Sequence, residues 1–203
     1  MPSRTTAKER VLNAAAKLFY AHGVAATGID TITTEAGVAK MSLYNNFSSK
    51  ADLVKGYLDN RVVQWQQLLA DRLERAKGPD EQVMAVFDSY IDQAHLAYAW
   101  GFRGCGLLNA AAELPVGDPG RATVAFQKEE VERLFGLYLG AMRPDAGAAI
   151  EETAQHLSYL LEGAMARAGL DGHDGRLKSA RKISLSIVRQ FADTASSQRQ
   201  AAS

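Results

Sequence analysis

Apolar side chains recur every three or four residues along most of the chain, which is the pattern of helices with one buried face. In the first such segment, from Thr6 to His22, the apolar positions are Val11, Leu12, Ala15, Leu18 and Phe19. No proline lies between Pro2 and Pro79, so long helices are allowed there. The pattern therefore predicts an all-α fold of about nine helices.

Glycines and capping residues divide the first part of the chain into four predicted helices. The first ends at His22-Gly23, where the glycine favours a stop. Thr27-Gly28-Ile29-Asp30 matches a capping box and predicts Thr27 as the cap of a short second helix that ends at Ala36-Gly37. A third short helix is predicted over 39–47. Ser49-Lys50-Ala51-Asp52 is another capping box and predicts a longer helix over 49–76.

Amphipathic segments continue through the rest of the chain, separated by loops rich in glycine and proline. They predict five further helices over 80–99, 104–113, 121–142, 146–168 and 176–194.

The second and third helices, with Gly37 at the turn between them, predict a helix-turn-helix unit, in which the later helix enters the DNA major groove. Apolar residues on both sides of the turn would pack against the first helix: Ile32, Ala36, Val38, Leu43 and Phe47. The remaining positions of the third helix would face outwards: Lys40, Met41, Ser42, Tyr44, Asn45 and Asn46. Each of these alone is compatible with a solvated surface, and Tyr44 also with the core, but together with the turn and caps they favour DNA.

These side chains have chemistry suited to a duplex. Lys40 can contact a phosphate or a guanine edge, and Asn45 can pair with adenine. Met41 can touch a thymine methyl group, whereas Ser42 and Tyr44 can donate to phosphates.

The same residues resemble the TetR family of bacterial transcriptional regulators. The chain has Leu18-Phe19, Gly23, Thr27 and Ile32 at the family's spacing, followed by AGVAKMSLYNNFSSKADL from Ala36 to Leu53. The resemblance implies that Thr27, Ser42, Tyr44 and Lys50 hold phosphates and that Lys40, Met41 and Asn45 lie closest to the bases. Met41 stands where the family often has a small residue, Asn46 where it often has histidine, and Ala39 lacks the usual capping hydroxyl.

Composition narrows the function classes further. Residues 1–50 have six basic and three acidic side chains, so this segment carries +3 and the other 153 residues carry −3.

No stretch has the roughly 18 continuous apolar residues of a membrane-spanning helix. The polar amino terminus lacks the apolar core of a signal peptide, so we expect a cytoplasmic protein with no membrane partner. Cys105 is the single cysteine, and a buried inert thiol is favoured over a redox sensor.

The resemblance also implies two domains: a DNA-binding domain over 1–50, continuing into the helix at 49–76, and a larger helical domain over 51–203 that binds a small molecule and forms a homodimer. A mainly apolar effector is expected against Trp65, Phe87, Tyr90, Tyr98, Phe102, Asn109, Phe126 and Tyr138. The predicted dimer face has Leu157, Leu160, Leu161, Ala164, Ile183, Ile187 and Phe191. Both sets are also compatible with ordinary core packing inside one subunit.

Three functions are open on these grounds. The first is a repressor that leaves a palindromic operator when its effector binds. The second is an architectural DNA-binding protein, which the zero net charge of the chain disfavours. The third is a helical enzyme using Cys105, His95 or Glu113, but catalytic motifs, a metal-ligand set and a cofactor fingerprint are missing from the sequence.

Overall fold

A computed structural model describes residues 5–201 of the chain, and the side chains of residues 5–193. Within this range the chain forms nine α-helices and no strand, which confirms the predicted all-α fold. The helices are α1 (Ala7–His22), α2 (Ile29–Ala36), α3 (Lys40–Tyr44), α4 (Lys50–Leu73), α5 (Pro79–Ala94), α6 (Gly106–Glu113), α7 (Pro119–Met142), α8 (Ala148–Asp171) and α9 (Gly175–Ala201). No helix of the described range is long and apolar enough to cross a membrane.

Capping residues fix the ends of the short helices. Thr6 caps α1 through a capping box in which its hydroxyl accepts from the Glu9 amide at 3.2 Å. Gly37 ends α2 with a left-handed backbone, φ 60°, which confirms its predicted place at the turn. The predicted capping box at Thr27 is wrong. Gly28 occupies the cap of α2 without a side-chain bond, because the Thr27 hydroxyl donates instead to the Gly23 carbonyl at 2.6 Å.

One of the two hydrogen bonds of the predicted capping box at the start of α4 is confirmed. The Ser49 hydroxyl accepts from the Asp52 amide at 3.1 Å, as in a capping box. The Asp52 carboxylate reaches the amide of Ser48, at 2.8 Å, one residue earlier than the box predicts. The helix ends at Leu73, whereas the sequence predicted a continuation to residue 76.

The helices form two compact units. The amino-terminal unit consists of the chain up to Val63 together with Ala97–Ala125. Its core includes Ile32, Leu43, Leu53 and Leu58, all fully buried, and an edge-to-face contact between Phe19 and Tyr57 with ring centroids 5.6 Å apart.

The second unit consists of Gln64–Leu96 and the chain from Phe126 onwards. The rings of Phe87 and Phe135 lie 5.5 Å apart in its core. Helices α8 and α9 pack on each other, and α9 also packs on α5. Arg181 of α9 makes a bidentate pair with Asp88 of α5 at 2.6 and 2.9 Å, which links these two helices at their polar edge.

Candidate nucleic-acid interface

Helix α3 is anchored by its one fully buried residue. Leu43 is enclosed together with Ile32 of α2 and Phe47, which follows α3, and α3 packs on both α1 and α2. The turn at Gly37 is closed by a hydrogen bond from the Val38 amide to the Thr33 carbonyl at 3.1 Å. Because these apolar contacts fix the rotation of α3, the opposite face of the helix points to solvent.

That opposite face has the predicted side chains. Met41 is 72% exposed and Tyr44 is 44% exposed, so the alternative of a core role for Tyr44 is wrong. Lys40 and Asn45 are exposed as well. Ser42 and Asn46 are half-buried, and the Asn46 side-chain amide donates to the Ser42 carbonyl at 2.8 Å. The exposed face therefore offers a cation, a thioether, a phenol and an amide within six residues.

Acidic residues of α2 form ion pairs with two lysines of this region. The Lys40 ammonium lies 2.8 Å from the Asp30 carboxylate, and this hydrogen bond raises the pKa of Lys40 above its ordinary value. Lys17 of α1 pairs with Glu35 at 3.3 Å. Both pairs are largely exposed, so each contributes little to stability, and Lys40 can exchange Asp30 for another anion at low cost.

Lys50 stands in the first turn of α4, where free backbone amides already attract anions. Its ammonium is 3.5 Å from the Ala25 carbonyl. The phosphate role predicted for Thr27 does not fit the structure. Thr27 is buried, and its hydroxyl donates to carbonyls of the chain around the end of α1, so it is not presented to a duplex.

Glu113 contacts the turn after α1, which sequence reasoning did not anticipate. Its carboxylate accepts hydrogen bonds from the amides of Val24, at 3.1 Å, and Ala25, at 2.7 Å. Arg103 completes this attachment because its guanidinium donates to the carbonyls of Tyr20, at 2.8 Å, and Ala21. Helix α6 and the loop before it thus hold the end of α1.

A cluster of tyrosines surrounds Arg61 in the same unit. The rings of Tyr20 and Tyr98 stack 4.4 Å apart, and the Arg61 guanidinium lies 5.3 Å from the Tyr20 ring and donates to the Tyr98 hydroxyl at 3.2 Å. Burial raises the pKa of Tyr20, and burial also raises the pKa of Tyr57 to about 12. The cluster gives the 97–105 loop a second attachment to α1.

The residues predicted to bind an effector are divided between the two units. Tyr98, Phe102 and Asn109 belong to the amino-terminal unit, where Asn109 donates to the Arg103 carbonyl at 2.9 Å. The others belong to the second unit: Trp65, Phe87, Tyr90 and Tyr138, all buried, and Phe126, which is 70% exposed. The structure therefore does not collect the eight side chains in one unit.

The predicted dimer face needs correction at three positions. Leu157, Leu161 and Phe191 are buried inside the second unit, because α8 packs on α9 within the subunit. The Arg143 guanidinium covers the Phe191 ring at 5.4 Å. Ile183 is 52% exposed, and three further predicted positions are half-buried: Leu160, Ala164 and Ile187. Only these four remain available to a partner.

The sequence of this chain is similar to those of known regulatory proteins. The profile of bacterial regulatory proteins of the tetR family matches residues 11–57, which span α1 to the start of α4. The HTH-type transcriptional repressor KstR2 of Rhodococcus jostii is 30% identical over 96 residues. This alignment covers 45% of the chain and 47% of the repressor, so the chain spans about half the length of this curated relative.

Solved structures match over nearly the full length. A TetR-family transcriptional regulator from Streptomyces coelicolor is 30% identical, covers 93% of this chain and 95% of its own, and superimposes with a TM-score of 0.78. A TetR transcriptional regulator from Chloroflexus aurantiacus is 25% identical, with 91% and 94% of the two chains covered and a TM-score of 0.77. The similarity therefore extends beyond the helix-turn-helix to nearly the full length of the chain.

Proposed function

Because the chain belongs to the TetR family of bacterial regulatory proteins, we propose that it is a sequence-specific DNA-binding transcriptional regulator that acts as a repressor. The observation that carries the proposal is the exposed face of α3, whose side chains are held outwards by the buried Leu43. A helix placed in this way fits the width of the major groove.

The side chains divide into two roles by their chemistry. Lys40, Met41 and Asn45 read base edges, through a charge, an apolar contact and a side-chain amide. Tyr44, Ser42 and Lys50 hold phosphates and so fix the register of α3 on the duplex. Thr27 is left out because its hydroxyl is buried and already donates to Gly23.

A homodimer would present two copies of α3 to the halves of a palindromic operator about one helical turn apart. The exposed Ile183, with the half-buried Leu160, Ala164 and Ile187, supports a partner face along α8 and α9. DNA binding is assigned to residues 1–50 and the first turn of α4, and dimerisation and effector binding to 51–203. The protein would act in the bacterial cytoplasm, where the chromosome lies.

The effector is a small, mainly apolar molecule held among the aromatic side chains of the second unit, which include Trp65, Phe87 and Tyr90. Binding would favour a state in which the two copies of α3 no longer match the operator. A coupling of about 1–3 kcal/mol would weaken DNA binding by roughly 5- to 150-fold.

Selection from a library of random duplexes tests this function without knowledge of the operator. The proposal expects enrichment of a palindrome whose half-sites are about 10 base pairs apart, centre to centre. Purified chain would then bind the enriched duplex about a thousandfold more tightly than a scrambled one at about 150 mM salt. Recovery of duplexes with no shared sequence would overturn the proposal and favour the architectural alternative.

A further inference from the structure

A cavity of about 430 Å³ lies in the amino-terminal unit, between the first turns of α4 and α7. Its walls are mainly apolar: Val24, Ala51, Val54, Leu114, Pro119 and Gly120. The volume is within the range of sites that bind small molecules. Gly120 is closely packed, because a Cβ there would lie 2.7 Å from Leu114 Cδ1.

Four charged side chains also border the cavity, and three of them have a close polar partner. Lys55 pairs with Asp59 at 2.6 Å. Asp52 accepts from the Ser48 amide at 2.8 Å, and Asp118 accepts from the Gly120 amide at 2.7 Å. These bonds satisfy the hydrogen-bonding capacity of the two carboxylates, which keep their negative charges.

Lys50 is the exception at this site. In the described part of the chain its ammonium has no carboxylate within ion-pair distance, and its one hydrogen bond is the 3.5 Å contact with the Ala25 carbonyl. The start of α4, where Lys50 stands, and the start of α7 add the positive ends of two helix dipoles. An apolar cavity bordered by an ammonium without a carboxylate partner can receive an amphipathic anion whose charged group contacts Lys50.

We propose that this cavity binds a small apolar monocarboxylate, with its hydrocarbon against Val24, Val54 and Leu114 and its carboxylate on the Lys50 ammonium. The proposal rests on the proposed DNA-binding function in one respect, because that function assigns Lys50 to a phosphate of the operator. The ligand would therefore compete with the operator backbone for the same cation. The site is separate from the aromatic side chains of the second unit, so it forms a second, direct route for small molecules to weaken DNA binding.

Isothermal titration of the full chain with sodium octanoate, in the absence of DNA, tests the charge. Octan-1-ol, which has a chain of the same length but no charge, should bind at least tenfold more weakly. Lys50→Gln should weaken octanoate binding at least tenfold, and Lys50→Arg should keep most of it. Lys55→Gln is the matched control, because Lys55 borders the same cavity but is paired with Asp59. Equal binding of the acid and the alcohol, or an unchanged Lys50→Gln, would overturn the proposal.

A second variant tests the location. Ala51 borders the cavity but is exposed, so Ala51→Phe can narrow the entrance without disturbing the core. Octanoate binding should be lost in Ala51→Phe and kept in Ala122→Phe, an exposed position on α7 that does not border the cavity. Thermal unfolding of both variants checks that they remain folded. Normal octanoate binding by folded Ala51→Phe would contradict the location.

Competition with DNA is measured separately, on the duplex recovered by selection. The apparent dissociation constant for DNA should rise in proportion to octanoate once the site is saturated, and Lys50→Gln should abolish this dependence. Because the titrations contain no DNA, failure of the DNA-binding function would leave their result intact. Operator affinity that stays constant at saturating octanoate would overturn the competition.

Discussion

The Glu113 carboxylate, at the end of α6, accepts a hydrogen bond from the Ala25 amide at 2.7 Å, across 88 residues of sequence. The Val24 amide donates to the same carboxylate at 3.1 Å. Gly23 makes room for this approach, because a Cβ there would lie 2.5 Å from Glu113 Oε1 and the backbone has φ 90°. One side chain thus ties α6 to the turn that leads into the helix-turn-helix.

Glu113→Ala should destabilise the fold by about 1–3 kcal/mol, because two backbone amides lose a charged acceptor. The free energy of unfolding from urea titration measures the loss. Glu129→Ala is the control, since Glu129 is an exposed glutamate on α7, and its effect should stay within about 0.5 kcal/mol. Equal losses in the two variants would show that the bonds from Glu113 do not stabilise the fold.

Asp30→Asn should strengthen DNA binding several-fold at low salt. The substitution removes the carboxylate that lies 2.8 Å from the Lys40 ammonium, so Lys40 no longer exchanges one anion for another when it meets DNA. Fluorescence anisotropy with a labelled duplex measures the change. Asp59→Asn, which removes the partner of Lys55 on α4, is the matched control. Unchanged or weaker binding by Asp30→Asn would mean that Lys40 does not face the duplex.

Tyr57 should make the fold sensitive to alkali. Burial raises the pKa of Tyr57 from 10 to about 12, so between these values the folded chain keeps a proton that the unfolded chain releases. The free energy of unfolding therefore falls as the pH rises through this window, by up to about 1.4 kcal/mol per pH unit. Below pH 10 the tyrosine is protonated in both states, so the stabilisation is fully present there.

Tyr57→Phe removes this titration while keeping the ring. Urea unfolding at pH 9 and pH 11 should show that the variant loses about 1 kcal/mol less than the parent chain between the two pH values. Tyr20 and the lysines are common to both chains, so their titration cancels in the comparison. Equal losses would contradict the burial of the Tyr57 hydroxyl.

Ile183→Glu should dissociate the proposed homodimer, because a charge would enter the proposed partner face along α8 and α9. Sedimentation velocity at micromolar concentration would then show the mass of one chain. Leu170→Glu is the control, since Leu170 is highly exposed at the far end of α8. A dimer that survives Ile183→Glu would place the interface on another face.

The features predicted correctly from the sequence are those decided within a few residues. The turn at Gly37 depends only on the left-handed backbone that glycine adopts easily. The exposed face of α3 follows from the spacing of the buried Leu43 and Phe47. The predicted cap at Thr27 is wrong because its hydroxyl donates to the Gly23 carbonyl, four residues earlier, and accepts no bond from the amides at the start of α2.

Other features depend on tertiary packing, which residue spacing does not encode. Leu161 and Phe191 have the spacing of an interface, but α8 and α9 satisfy them within one subunit. The bond between Glu113 and Ala25 joins residues that only the folded chain brings together. Local patterns therefore predicted the exposed face of α3, whereas the attachment of α6 required the structure.

The most direct test of the account is the ratio of affinities for the selected duplex and a scrambled duplex, measured by anisotropy at about 150 mM salt. The chain should show a ratio of roughly 10³, and Lys40→Ala and Asn45→Ala should each reduce it by about 5- to 150-fold, since each base contact contributes about 1–3 kcal/mol of discrimination. Lys55→Ala, on α4, should leave the ratio unchanged. A ratio that survives both α3 substitutions would contradict the claim that α3 reads the DNA.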